Sequence, residues 1–290
     1  FAYNDPEIRD QWDISIIQHP LINVNRKDIE VLPLIDRIIN AKPDLVGFSC
    51  YMWNVNVFDE IAQVLRKRIP KAKIIWGGSE MSSDYLMQGK FDKLEMDFCV
   101  SGEGEVTFQE FLRNQAFGVP DLSSISGLAY RQSTAEPFKI NPKREALEIL
   151  HDIPSPFLTG VVDDEVLLRP KVEANIETQR GCNLRCSYCT YHKDMDKISY
   201  SSVERVVNEV VYVVNKGVKR VRFVDANFSS SLDYSKEIVR AFIQKRFELR
   251  LMFELIPGFI DEELALLLEE FSNLHPWNDI TLGVGVQSIK

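Results

Sequence analysis

The stretch Glu177-Thr-Gln-Arg-Gly-Cys-Asn-Leu-Arg-Cys-Ser-Tyr-Cys-Thr190 sets Cys182, Cys186 and Cys189 at C-x3-C-x2-C spacing, with Tyr188 directly before the third cysteine. Three thiolates on so short a loop can hold three irons of a four-iron, four-sulfur cluster and leave the fourth iron free for another ligand. Zinc is the alternative reading. A closed tetrahedron wants a fourth N or S donor, and His192 is near enough in sequence to supply one. A disulfide fits less well, because three clustered cysteines leave one unpaired.

Outward from this loop the chain alternates. Strand Val172 to Glu177 leads into the cysteines; helix Ser202 to Lys216, strand Arg220 to Val224, helix Tyr234 to Phe247, strand Leu249 to Leu255, helix Asp261 to Phe271 and strand Ile280 to Val286 follow. Four strands and three helices in strict alternation predict a partial (β/α) barrel. Active sites of barrels sit where the strands' C-terminal ends release their loops, which is where the cysteines fall. Asp225 and Asn227 follow the second strand, Glu254 lies in the third, and Gln287 and Ser288 follow the fourth. Polar groups at equivalent strand ends can converge on one ligand; alternatively Asp225, Asn227 and Ser229 cap the next helix.

The first 115 residues form a separate alternating series. A β-rich run spans Asp13 to Ile17, helix Asp28 to Asn40 presents an apolar face, and Leu45 to Cys50 is an apolar strand. Helix Asn56 to Ile69, strand Lys73 to Trp76, a short helix Ser82 to Gly89, strand Asp97 to Val100 and helix Val106 to Asn114 complete a doubly wound, Rossmann-like parallel sheet. Its ligand-binding edge would carry Ser49 to Asn54, Gly77-Gly78-Ser79-Glu80 and Gly102-Glu103-Gly104-Glu105. Glycines there let backbone N–H groups approach a bulky ligand, although each could also serve an ordinary tight turn. Between the two series, residues 116–171 read as a hairpin (Ile125 to Arg131 with Phe138 to Asn141) and a proline-bearing linker. The expected division is therefore 1–115, 116–171 and 172–290.

Composition narrows the classes. An apolar share of 45% fits a globular protein, and a net charge of −9 argues against a nucleic-acid surface. No apolar run approaches the ~18 residues of a membrane helix, and no signal peptide is seen. Five cysteines without an even framework point to a reducing, cytoplasmic setting. Cys50 and Cys99, in apolar strands, read as inert buried thiols. The start at Phe1 and the stop just after a strand read as the ends of a fragment, a barrel truncated after its fourth strand.

The cysteine spacing, the flanking Arg180-Gly181 and Tyr188 resemble the signature of the radical S-adenosylmethionine (radical SAM) superfamily. The resemblance implies that the open iron chelates the amino and carboxylate groups of S-adenosylmethionine, that its cleavage yields a 5′-deoxyadenosyl radical, and that Tyr188 lies against the adenine. It further implies contacts from Asp225, Asn227, Glu254, Gln287 and Ser288 to the amino, carboxylate and ribose groups. The Gly283-Val-Gly-Val-Gln-Ser288 run is similar to the superfamily's fourth-strand motif.

Ser49, Gly77 to Glu80 and Gly102 to Glu105 together resemble the cobalamin-binding domain that precedes the barrel in one large radical SAM subclass. Ser79 stands where that pattern has a proline. The Asp-x-His-x-x-Gly element is missing, since His19 is followed by Pro20 and Leu21, so the lower cobalt face would lack a protein imidazole. Tyr51 or Trp53 could cover that face, the alternative being that both are core aromatics. The implied activity is that of a cobalamin-dependent radical SAM methyltransferase, in which a 5′-deoxyadenosyl radical and methylcobalamin methylate an unactivated carbon. The alternatives are non-methylating radical chemistry on the same frame, a first domain that binds no cobalamin, and a non-catalytic metal-binding module. The implied partners are a small-molecule or peptide substrate and an external electron donor of flavodoxin or ferredoxin type.

Overall fold

The computed structural model describes residues 1–17, 31–118, 121–148, 150–189, 191 and 197–285. It comprises two units, Phe1–Ala146 and Leu147–Lys290.

In the first unit, α1 (Pro6–Gln11) starts at a proline behind Asp5, whose side chain accepts from the Glu7 N–H at 3.0 Å. Such a cap contributes on the order of 1 kcal/mol. Then come α2 (Leu32–Asn40), β1 (Leu45–Ser49), α3 (Val55–Arg68), β2 (Lys73–Gly77), α4 (Ser83–Met87), β3 (Phe98–Val100), α5 (Gly104–Ala116), β4 (Leu128–Tyr130) and β5 (Lys139–Ile140). The sheet order is β1-β2-β3-β4-β5, parallel through β3 and antiparallel beyond. Alternation along β2 sends Ile74 and Trp76 to one apolar cluster, shared with Ile35, Ile61 and Leu65 of α2 and α3. Ile75 goes to the other, shared with Ile8 and Phe111 of α1 and α5. Helices thus cover both faces, the doubly wound arrangement expected. At the end of the sheet opposite the glycine loops, buried Asp97 accepts from the Ile74 N–H (2.8 Å) and pairs with Arg66 (2.7 Å), so that carboxylate is structural.

Two expectations change. Asp13 to Ile17 pairs with no described strand; Trp12 ends α1 and the chain runs on as coil. The hairpin, expected in a segment of its own, instead extends the first sheet, because β4 pairs with β3. The first unit therefore runs to Ala146 rather than 115. The following proline-bearing stretch belongs to the second unit, where Phe157 and Leu167 enter the core and the Arg205 guanidinium donates to the Leu150 carbonyl at 3.1 Å.

The second unit contains α6 (Asp164–Leu167), β6 (Ala174–Ile176), β7 (Gln179–Arg180), β8 (Ser199–Tyr200), α7 (Val203–Asn215), β9 (Arg220–Phe223), α8 (Leu232–Lys245), β10 (Arg250–Leu255), α9 (Glu262–Asn273) and β11 (Asp279–Val284). Four strands form a parallel sheet in the order β11-β10-β9-β6. Ser202 and Asp261 cap α7 and α9 through the Arg205 and Leu264 N–H groups, at 3.2 and 2.9 Å. One face is apolar. Phe223 stacks on Phe253 (centroids 5.0 Å apart) and packs against Phe242 and Phe228, with Val206, Val210 and Val213 of α7 above. Each such ring, fully buried, stabilises by roughly 1.5–3 kcal/mol. The opposite face, lined by Asn175, Arg222 and Glu254, is polar. Among the described residues β11 has a neighbour only through β10, and its Leu282 and Val284 are exposed.

Candidate active site

The cysteine loop leaves β6 through Glu177 and Thr178 and is closed at its base by β7 and β8, a two-stranded antiparallel clasp pairing Gln179 with Tyr200 and Arg180 with Ser199. The clasp explains the glycine before the first cysteine. Gly181 has φ +106°, and a Cβ there would lie 2.4 Å from the Lys197 carbonyl oxygen. Only glycine lets the two ends of the loop pass so closely. The Arg180 guanidinium holds Glu177 with two hydrogen bonds, at 2.9 and 2.8 Å. The Gly181 N–H donates to the Tyr191 hydroxyl at 3.3 Å.

Cys182, Cys186 and Cys189 are half-buried and unbridged. The Cys182 sulfur accepts from the Leu184 N–H at 3.5 Å, and the Cys189 N–H donates to the Cys186 carbonyl at 3.0 Å. Among the described residues no three His, Cys, Asp or Glu side chains are drawn around a single ion position. His192, the fourth donor of the zinc reading, lies outside the described residues. Three unbridged thiols on one glycine-hinged loop are the donor set a thiolate-held cluster needs. Tyr188 is 68% exposed, and its phenol pKa is raised by a hydrogen bond with the Cys186 thiol. Its ring remains open to a flat partner.

The strand ends of the second unit fall as the alternation predicted. Asn227 is fully buried. Its Nδ2 donates to Asn183 Oδ1 of the cysteine loop (3.4 Å), and its Oδ1 accepts from Ser229 Oγ (3.0 Å) and the Ile256 N–H (3.3 Å). It therefore joins the β9 exit, the β10 exit and the loop. Glu254 is exposed and lies over Gly283, its neighbour in register, where a Cβ would meet Glu254 Oε2 at 2.3 Å. Asp225 is buried and turned toward Thr178 and Gln179. Gln287 and Ser288 lie outside the described residues. Sequence reasoning missed Thr178, Gln179, Tyr191, Ser230 and Tyr234. The first two are polar residues between strand and first cysteine, a signal that could have flagged them.

In the first unit, parallel pairing places the C-terminal ends of β1, β2 and β3 side by side. Ser49 to Asn54, Gly77 to Glu80 and Gly102 to Glu105 consequently share one edge. The Cys50 N–H donates to the Gly77 carbonyl and the Glu80 N–H to the Cys50 carbonyl, at 2.6 and 3.2 Å. Gly78 has φ +104°, and a Cβ there would meet Cys50 O at 2.6 Å. Gly102 also has positive φ (+73°), whereas a Cβ on Gly104 would make only ordinary contact, at 3.5 Å with Val100. Glu103 is buried and Glu105 opens α5. Gly78 and Ser79 are exposed.

The aromatics of the first loop are not core residues. Tyr51 and Trp53 stack on each other (4.8 Å, 3° between planes) and are 38% and 54% exposed. Asn54 holds their turn by accepting from the Tyr51 N–H (2.8 Å) and donating to the Ser49 carbonyl (3.1 Å). The result is an exposed aromatic shelf beside a glycine-lined strand edge, a surface that suits a large planar ligand.

Residues 9–112 match the B12 binding domain family and residues 176–290 the radical SAM superfamily. The chain is 29% identical over 256 residues to the cobalamin-dependent radical SAM methyltransferase TokK of Streptomyces tokunonensis, covering 86% of this chain and 35% of that protein. It is 27% identical to 2-(S-pantetheinyl)-carbapenam-3-carboxylate methyltransferase of Streptantibioticus cattleyicolor, covering 85% and 35%. The fold superposes on the radical S-adenosylmethionine methyltransferase TsrM of Kitasatospora setae with a TM-score of 0.71 at 21% identity, over 90% of this chain and 52% of that one. The chain spans about a third of the length of the curated relatives it matches.

Proposed function

Because this chain belongs to the cobalamin-binding radical SAM family, we propose that it forms the cofactor-bearing part of a methyltransferase that methylates an unactivated carbon. The observation that carries the reading is the cysteine loop itself, three unbridged thiols on a loop closed by a clasp that only Gly181 permits. When bound, the iron–sulfur cluster with S-adenosylmethionine supplies a 5′-deoxyadenosyl radical, and the corrin carries the methyl group to be transferred.

The chain's own residues bind and orient. Cys182, Cys186 and Cys189 would ligate three irons; Tyr188 would offer its exposed ring to the adenine. Asn227, buried between loop and strand ends, would fix the ligand-facing side of β9, and Glu254 would present a carboxylate from the open face of the sheet. Gln287 and Ser288 are carried in this role by their place in the sequence alone. On the first unit, Gly77, Gly78, Ser79, Glu80, Gly102, Glu103, Gly104 and Glu105 would line the corrin-binding edge with Ser49. The Tyr51–Trp53 shelf would supply the flat apolar surface that replaces an imidazole ligand, in keeping with the lack of an Asp-x-His-x-x-Gly element. The substrate would be a small molecule or peptide, and a flavodoxin- or ferredoxin-type donor would supply electrons. Two relatives named as methyltransferases favour methyl transfer over the other radical outcomes.

Anaerobic reconstitution tests the proposal. The parent should hold about four irons and four sulfides per chain and form 5′-deoxyadenosine. C182A, C186A and C189A should each lose both properties, whereas C99A, at a fully buried thiol whose pKa burial pushes up, should keep them. One zinc and no sulfide in the parent would refute it.

A further inference from the structure

The root of the cysteine loop gathers polar side chains that the chemistry above leaves idle. Asp225 is 1% exposed; its Oδ1 accepts from the N–H groups of Thr178 (2.8 Å) and Gln179 (3.1 Å), and its Oδ2 accepts from the Thr178 hydroxyl (2.6 Å). A carboxylate has about four acceptor positions, so three are filled and solvent cannot reach the fourth. The titratable groups that face it are Glu177 at the β6 exit, Tyr191 in the loop and Tyr234 on α8; Arg180 is engaged by Glu177. Among the described residues no cation pairs with it. A ligand for the ammonium group of S-adenosylmethionine would need an open oxygen, and Asp225 has none.

The same segment holds the other end of the loop. Ser230 Oγ donates to Gln179 Oε1 (2.6 Å) on the entering strand and lies 3.2 Å from the Tyr200 hydroxyl on the leaving one. The Tyr234 hydroxyl sits between the carbonyls of Thr178 (2.9 Å) and Ser201 (2.8 Å), again one from each end. The Thr178 carbonyl also accepts from the Ser201 N–H at 2.8 Å. A cluster site demands thiolates at fixed separations, and tying both ends of a loop removes the freedom that would spread them.

We propose that Asp225, Ser230 and Tyr234 are positioning residues that grip both ends of the cysteine loop and so set the spacing of its three thiols, Asp225 acting through hydrogen-bond shape and touching no cofactor. The proposal rests on the cluster reading above. Shape rather than charge has a direct consequence. In D225N the amide oxygen can still accept from both N–H groups, and the amide nitrogen can donate to a rotated Thr178 hydroxyl; D225A can do neither.

The test compares parent, D225N, D225A and Y234F in the intact chain. Amide hydrogen exchange across residues 178–201 is measured before reconstitution. Iron and sulfide content and the KM for S-adenosylmethionine are measured after it. D225A and Y234F should exchange about tenfold faster or more in that stretch, the effect of roughly one lost hydrogen bond, and hold less than about half the parent's iron. D225N should stay within about twofold of the parent in exchange and iron, with an unchanged KM. Should D225A not fold, Y234F decides, because its ring keeps its packing 4.9 Å from Tyr200. Parent-like exchange in Y234F overturns the grip. A raised KM with full iron in D225N makes Asp225 a ligand and equally overturns it. A parent that takes up no iron and sulfide refutes the proposed function instead, and the exchange data still decide the grip.

Discussion

Gly181→Ala isolates what one methyl group does to the cysteine loop. The native φ of +106° disfavours any side chain, at a cost of about 1–3 kcal/mol. The added Cβ also starts 2.4 Å from the Lys197 carbonyl oxygen and 3.1 Å from the Ile198 Cα. Both neighbours are backbone, so relief requires the β7–β8 clasp to part by about 1 Å, weakening ladder hydrogen bonds worth roughly 1 kcal/mol each. Together these amount to about 3 kcal/mol, a factor above 100 in the ratio of open to closed clasp. The clasp is a separate two-stranded ladder outside the apolar core, so the damage should stay local. Amide exchange at residues 179–180 and 199–200 should accelerate, and iron uptake should fall to a small fraction, while the melting midpoint moves little. Gly160→Ala is the control, since its φ is also positive (+71°) but nothing lies within 4 Å of its Cβ. Full iron and unchanged exchange in Gly181→Ala would refute the reasoning; equal losses in both variants would show that strain, not the close approach, is responsible.

The first unit yields a similar contrast. Gly104→Ala makes only ordinary contact in the fold, so a drop in corrin absorbance after reconstitution would report close approach of the ligand itself. Gly102→Ala, at φ +73°, should lower the melting midpoint as well, and corrin uptake unaffected by either variant would move the site elsewhere. Trp53→Ala removes half of an exposed stack, so stability should change by less than about 1 kcal/mol while corrin affinity falls, measured by absorbance titration; unchanged affinity would remove the shelf from the site. Asp225 predicts a pH slope. Burial pushes its carboxyl up to about 7, so its contribution to stability is present below the ordinary carboxylate range and is lost as pH rises through about 7. The loss is at most roughly 4 kcal/mol between pH 4 and pH 8, and D225N should abolish it. Parallel melting curves against pH for parent and D225N would contradict this.

The cysteine loop was legible because its chemistry is local: spacing, aromatic and glycine all lie within a dozen residues. The alternation of strands and helices was legible for a related reason. Val206, Val210 and Val213 recur at helical spacing, and Leu251, Phe253 and Leu255 at strand spacing, so each element declares its buried face. What failed depended on partners distant in sequence. Nothing in Leu128 to Tyr130 states that it pairs with Phe98 to Val100, so the hairpin looked independent. Asp13 to Ile17 has strand-like composition but no neighbouring ladder to join. Tyr51 and Trp53 could have been core or surface from composition alone, and only Asn54 at the turn turns them outward. Asp225 drew attention as a polar residue at a strand end, yet its partners lie 46 and 47 positions earlier.

The lone flank of β11 carries a further consequence. Among the described residues the outer border of Asp279–Val284 pairs with no further strand, and Leu282 and Val284 are exposed alongside it. Such a border is a template on which any extended segment can zip, a second copy of the same chain included. This polypeptide should therefore self-associate through β11 as its concentration rises, rather than through the cysteine loop, an outcome light scattering would read.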